Sequence, residues 1–197
     1  MSTCTQSRLV LKLTTTLLCI ITPFAYSKPP SMTQQQITTL VSKHFGPKVR
    51  TDISSGEEKW MPRYIWVEFT RGSSPVLVIP IHVDGAKGTL NARSIKAITE
   101  DGYEISPDET IGSNCLALAF LHDLPSVKAR EDKLSAVHML YECFSGYTRV
   151  AKGSTLLRNA GVHATGEAVL LDLETGGQLL VYWDGGRYRT KLVRLGD

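Results

Sequence analysis

Only four cysteines occur in this 197-residue chain, and none forms a Cys-x-x-Cys pair. There is no His-Glu-x-x-His stretch, and no two of the five histidines stand four residues apart. These absences exclude the common zinc-ligand spacings, so no metal site and no cofactor is expected. Charge of one sign is scarce as well: 22 basic residues meet 19 acidic ones, a formal net charge of +3. A nucleic-acid-binding domain needs a clear basic excess, so no nucleic-acid partner is expected. Beyond the first 27 residues no apolar run approaches the length that crosses a bilayer, so no stable membrane anchor is expected.

The N-terminus carries what the rest lacks. Arg8 and Lys12 precede Leu13–Phe24, an apolar and threonine run, and Ala25-Tyr26-Ser27 puts small residues at −3 and −1. This pattern predicts a secretory signal over 1–27, cleaved after Ser27, and a mature exported domain over 28–197 in the periplasm or outside the cell. Removing Arg8 and Lys12 from the 22 basic residues leaves 20 against 19 acids, a near-neutral mature chain. Cys4 and Cys19 leave with the signal, and Cys115 and Cys143 remain. An even pair in an oxidising compartment predicts a disulfide. The loop it closes, roughly 30 residues, corresponds to about 3–4 kcal/mol in the chain-entropy description.

The two cysteines bracket the most informative stretch, Asn114–Gly146, which opens NCLALAFLHDL and closes SAVHMLYECFSG. Two apolar runs of strand length flank a polar connection. Folded as an antiparallel hairpin whose opposed numbers sum to 258, Cys115 faces Cys143, Ala117 faces Tyr141, Ala119 faces Met139 and Leu121 faces Val137. Small residues then meet large ones on one face, which cross-strand packing favours.

Upstream, Ser31 and Gln34 suit a capping box, and Ile37, Leu40, Val41 and His44 or Phe45 recur with helical period until Gly46-Pro47. Residues 51–62 read as loop. Strands are predicted over Tyr64–Thr70 and Val76–Val83, with Pro80 arguing for a sheet edge or bulge, and over Arg93–Thr99. Asp84-Gly85, Lys87-Gly88 and Glu100-Asp101-Gly102 read as turns, Glu104–Ser113 as surface loop, and Asp123–Leu134 as a solvated, charged connection. The periodicity of Val150–Asn159 fits a short helix or a strand equally. Ala168–Leu173, Gln178–Trp183 and Arg187–Leu195 read as a meander turned by Glu174–Gly177 and Asp184-Gly-Gly186.

The tail GEAVLLDLETGGQLLVYWDGGRYRTKLVRLGD resembles the ends of uncharacterised bacterial secreted proteins, and the strand-turn-strand stretch at 64–83 resembles integrin-type FG-GAP repeats. The resemblance implies an exported β-rich module and carries over no catalytic residue. FG-GAP repeats often hold calcium on an Asp-x-Asp-x-Asp-Gly loop. Asp172-x-Glu174-x-Gly176-Gly177 matches it in part, but its fifth position gives no side-chain oxygen, and a plain hairpin turn is preferred.

Two constellations remain. Cys115, following Gly112-Ser113-Asn114, could act as a nucleophile at a helix start, with His163 as base and Asp172 to orient it, as in a cell-envelope cysteine peptidase or amidase. A disulfide to Cys143 would make that thiol unavailable. On the last strand Arg187, Arg189 and Lys191 share one face by period two, with Tyr182, Trp183 and Tyr188 nearby. That face could bind an anion, a polysaccharide or an acidic protein, although basic residues also guard an edge strand against aggregation, and the guard is preferred. His82, His122, His138 and His163 share no ligand spacing, and a half-buried, hydrogen-bonded role is preferred for His138. Asp108-Glu109 and Glu57-Glu58 are read as solvated pairs in loops.

The fold expected is α+β: an antiparallel sheet or two packed sheets, one N-terminal amphipathic helix near 32–45 and one disulfide. The function expected is a non-enzymatic exported binding module, of inhibitor or immunity type, meeting another protein or an envelope component. No catalytic residue is assigned to it; its rival is a cell-envelope cysteine hydrolase that would use Cys115 and His163. Oligomeric state and the identity of the partner have no signature in the chain.

Overall fold

A computed structural model describes residues 29, 31–47, 49–51, 61–83, 93–95, 97–98, 104–105, 116–122 and 137–193. The expected signal over 1–27, Cys115, the charged connection 123–134, the turns at 84–88 and 100–102 and the two acidic pairs lie outside them.

The helix forms, one cap later than the sequence suggests. α1 spans Gln34–Phe45, and its N-cap is Thr33: the Thr33 hydroxyl accepts from the Gln36 N–H while the Gln36 side chain accepts from the Thr33 N–H. The box therefore uses Thr33 and Gln36 rather than Ser31 and Gln34. This choice puts Met32 just before the cap and Ile37 at the fourth helical position, a hydrophobic staple, and both join one apolar cluster. Gly46, at φ 81°, ends the helix by donating its N–H to the Ser42 carbonyl.

Six strands make the larger sheet: β1 (Val49–Thr51), β2 (Ile65–Val67), β3 (Val76–Val83), β4 (Arg93–Ile95), β7 (Ala117–Leu121) and β8 (Val137–Tyr141). The order is β1-β3-β7-β8-β4, with β2 also on β3, and only the β4–β8 pairing is parallel. The central hairpin has the expected register, Ala117 opposite Tyr141, Ala119 opposite Met139 and Leu121 opposite Val137. Its small residues now have a reason. Ala117 and Ala119 lie under Ile37, Val41 and Phe45 of α1, with Leu77, Ile79, Ile81 and Met139 around them. Burying each of the three helix side chains contributes about 1.5–3 kcal/mol.

Pro80 does not mark an edge strand: β3 is flanked by β7 on one side and by β1 and β2 on the other. Yet β1 takes Ile81–Val83 and β2 takes Val76–Val78, so Pro80 stands level with the break between them. A residue without an N–H is tolerated where a flank is locally open. Two further differences concern short strands. β1, for which no strand was predicted, overlaps the expected loop 51–62 at Thr51 only, and the predicted strand Arg93–Thr99 contains β4 and β5 (Ala97–Ile98). β5 pairs with β6 (Glu104–Ile105), inside what reads as loop. Two- and three-residue strands carry too little alternation to be recognised.

The chain crosses from the larger sheet to a second one through Glu142-Cys143 alone. β9 (Phe144–Val150), β10 (Ala168–Leu173), β11 (Gln178–Trp183) and β12 (Tyr188–Val193) form a four-stranded antiparallel meander. Between β9 and β10 stands α2 (Thr155–Asn159), capped by Ser154, whose hydroxyl accepts from the Leu157 N–H. The segment Val150–Asn159 is thus the end of a strand followed by a helix, and the molecule has a second helix that the sequence reading left undecided.

Between the sheets, Val76, Val78, Leu118, Phe120 and Leu140 meet Tyr147, Val169, Leu171, Leu179, Val181 and Tyr188 in the main core. On the outer face of the meander, Leu157 of α2 covers Val150, Ala168, Leu170 and Leu180. The layers run α1, six-stranded sheet, four-stranded sheet, α2. Polar ties close the sandwich. Glu167 N–H donates to the Glu68 carbonyl at 2.7 Å, Glu68 N–H donates to Glu167 Oε2 at 2.9 Å, and Thr165 Oγ1 donates to the Phe69 carbonyl at 2.9 Å. Tyr147 Oη donates to the Pro62 carbonyl at 2.7 Å, and burial pushes its phenol far above the usual range.

Candidate functional site

At the end of the sandwich where β7 finishes and β12 begins, rings from both sheets converge. His122 follows β7, and His138 lies opposite Phe120 on β8. By period two, His122, Phe120 and His138 project from the same face, toward the four-stranded sheet. Tyr188 opens β12 opposite Trp183 on β11. Its ring centroid lies 5.0 Å from that of Phe69, 5.2 Å from Phe120, 5.1 Å from Trp183 and 5.0 Å from His138. The two imidazoles are 5.1 Å apart, tilted by 57°. Tyr188 Oη is 2.8 Å from Nε2 of His122. Tyr188 is buried, while His122, His138 and Trp183 are half-buried and form a rim around it. Burial drives the Tyr188 phenol far above its ordinary range, so it stays protonated and able to donate or accept.

The turn beside this rim is built by Asp184. Its Oδ1 accepts from the N–H groups of Gly186 and Arg187 at 2.9 and 3.0 Å, and its Oδ2 accepts from Arg189 Nε at 2.5 Å. The Arg189 hydrogen bond first, then the two backbone donors, hold this carboxyl far below the usual carboxylate range. Gly185, at φ 106°, supplies the left-handed residue.

The expected basic face is placed as follows. Arg187 is exposed in the turn, ahead of β12. Arg189 and Lys191 lie on β12 opposite Tyr182 and Leu180, on the outer, α2-covered face. The guanidinium of Arg189 is engaged by Asp184. β12 is an edge of the meander, and β5 lies near it.

His163 is exposed in the loop before β10, beyond Thr165, whose N–H reaches the Trp183 carbonyl. Asp172 is near the far end of β10, accepting from Gln178 Nε2 at 2.7 Å. Cys143 lies at that far end also, since Phe144 pairs with Leu173 while Val150 pairs with Ala168. His163 is thus separated from Asp172 and Cys143 by most of a strand, roughly 13–20 Å at 3.3 Å per residue. The partial calcium motif forms a hairpin turn in which Leu173 N–H donates to the Gly177 carbonyl and Gly176 takes φ 87°. His82 sits on β3 opposite Arg50, and desolvation, then Lys43, lowers the pKa of His44 at the end of α1. Of the histidines, only His122 and His138 touch one another among the described residues.

The hairpin register contained half of this site, because it fixes His138 against Phe120 and hence beside His122. The other half had no signal in the chain, since Tyr188 arrives from a strand 66 residues beyond His122. The chain matches no protein-family model, no curated protein and no solved structure.

Proposed function

We propose that this protein is an exported, non-enzymatic binding module of the periplasm or cell exterior, tied by a Cys115–Cys143 disulfide and meeting a protein or glycan partner. The inhibitor or immunity type suits a rigid frame that presents one rim. The observation that carries the reading is the half-exposed rim of His122, His138 and Trp183 around buried Tyr188, bordered by exposed Arg187. Aromatic faces beside hydrogen-bonding imidazoles suit both side chains and sugars, and aromatic and arginine residues dominate binding energetics. The disulfide reading is supported by the even pair of cysteines that an exported mature chain would keep, Cys115 and Cys143.

A photoreactive residue at position 187, irradiated in envelope extract, tests the reading. A discrete protein or glycan adduct, lost on adding excess unlabelled protein, is the expected result. The reading fails if no adduct forms, and hydrolysis of peptidoglycan peptides abolished by Cys115→Ala would put the cysteine hydrolase in its place.

A further inference from the structure

We infer that His122 and His138 jointly bind a divalent transition-metal ion of the zinc, copper or nickel class, with Tyr188 positioning one of the two imidazoles. The inference rests on reading this rim as the binding site, and it names an ion that the site would take.

The spacing of the rings is the first argument. A tetrahedral ion bound at 2.0–2.1 Å holds each imidazole centroid about 3.2 Å away, and two such centroids then stand about 5.2 Å apart. The observed separation is 5.1 Å, which matches that spacing. The hairpin enforces this spacing, because His138 is locked opposite Phe120 and His122 follows on the same face.

Tyr188 is the second argument. A metal-bound histidine characteristically gives its other ring N–H to an acceptor, which fixes the tautomer and aims the ring. The 2.8 Å contact between Tyr188 Oη and His122 Nε2 supplies that acceptor in the tautomer that carries the proton on Nε2. With Nε2–H donating, Nδ1 of His122 carries the lone pair that can ligate. A buried, neutral tyrosine held among Phe69, Phe120 and Trp183 suits a positioning residue rather than a phenolate ligand.

No group of three histidine, cysteine or acidic side chains able to hold an ion occurs among the described residues. An ion held by these two nitrogens would complete its coordination with further donors, from the protein, water or a partner. Sequence spacing could not reveal such a site, because its ligands meet only through the hairpin.

Calorimetry of the mature protein with Zn(II), Cu(II) or Ni(II), each alone, is the test. One equivalent of at least one ion should bind saturably. Affinity should fall at least tenfold in His122→Ala and in His138→Ala and stay unchanged in His163→Ala. In Tyr188→Phe it should fall about 10–100-fold, as loss of an outer-shell partner does. In the unaltered protein, trace Cu(II) should broaden the ring resonances of His122 and His138 before those of His163, a readout independent of how the variants fold. Absence of saturable uptake of all three ions overturns the inference, as does uptake that survives the double His122→Ala/His138→Ala variant, or broadening confined to His163. If ion binding fails while the adduct from position 187 still forms, only this inference falls. If the ion binds and no adduct forms, the binding-module reading falls instead.

Discussion

A methyl group at position 166 would have nowhere to go. A Cβ on Gly166 would lie 2.1 Å from the Glu68 carbonyl oxygen and 2.5 Å from Phe69 backbone atoms, where the entrance to β10 is hydrogen-bonded to the β2–β3 connection. Gly166→Ala should therefore lower the unfolding free energy in urea by about 1–3 kcal/mol or more, since the obstacle is backbone and cannot rotate away. Gly72 makes the contrast: its φ of 78° favours glycine, but the space around it is open. Gly72→Asn should cost only a few tenths of a kcal/mol because asparagine tolerates that conformation, whereas Gly166→Asn should be at least as damaging as Gly166→Ala. Asp184 gives a pH prediction. Its folded pKa is depressed by Arg189 and two backbone donors, so its contribution is present above the unfolded value near 3.9 and is lost as pH falls through the folded value. Asp184→Asn should lower the urea midpoint at neutral pH and flatten its decline below pH 4. At this scale the chain was only partly legible. The Asp-Gly-Gly turn announced itself, but nothing in the sequence around Gly166 reveals that Glu68 will lie against it, 98 residues away.

Elements were read well where a pattern ran long enough to be periodic. β3, β10 and β11 have the bounds that alternation sets, and the central hairpin has the register in which Ala117 and Ala119 meet Tyr141 and Met139. The start of α1 was less determinate, since Ser31 with Gln34 and Thr33 with Gln36 offer the same capping chemistry. Tertiary contact decides between them: the Thr33 cap allows Met32 to staple to Ile37 while the Met32 N–H donates to Tyr64 Oη at 2.8 Å. Thr33→Ala should therefore destabilise the protein by about 1 kcal/mol, and Ser31→Ala should leave the urea midpoint in place. The reverse result would return the cap to Ser31. β5 and β6 were unreadable for the opposite reason, because two residues define no period.

The two sheets share one apolar core, so the layers are expected to unfold together despite their layered form. Phe120 from the larger sheet touches Tyr188 from the smaller, and the main apolar cluster draws on both. The covalent passage between the sheets in the chain from β8 onward is Glu142-Cys143, so the proposed staple would fasten that passage to a position two residues ahead of β7 in sequence. In a Trp60→Phe background the two remaining tryptophans report separately on the layers, Trp66 from β2 and Trp183 from β11. If the core couples the layers, fluorescence of Trp183→Phe and Trp66→Phe variants should give transitions whose midpoints coincide with that of circular dichroism in the same variant. Reducing the protein should move both reporters down together, by about 3–4 kcal/mol in the chain-entropy description of a loop of roughly 30 residues. A staple confined to the larger sheet would instead shift the Trp66 signal and leave the Trp183 signal behind, and the two layers would then unfold as separate units. Intact-mass counting of thiols, none alkylated before reduction and two after, completes the measurement, because without it a shift on adding reductant could not be assigned to Cys115 and Cys143.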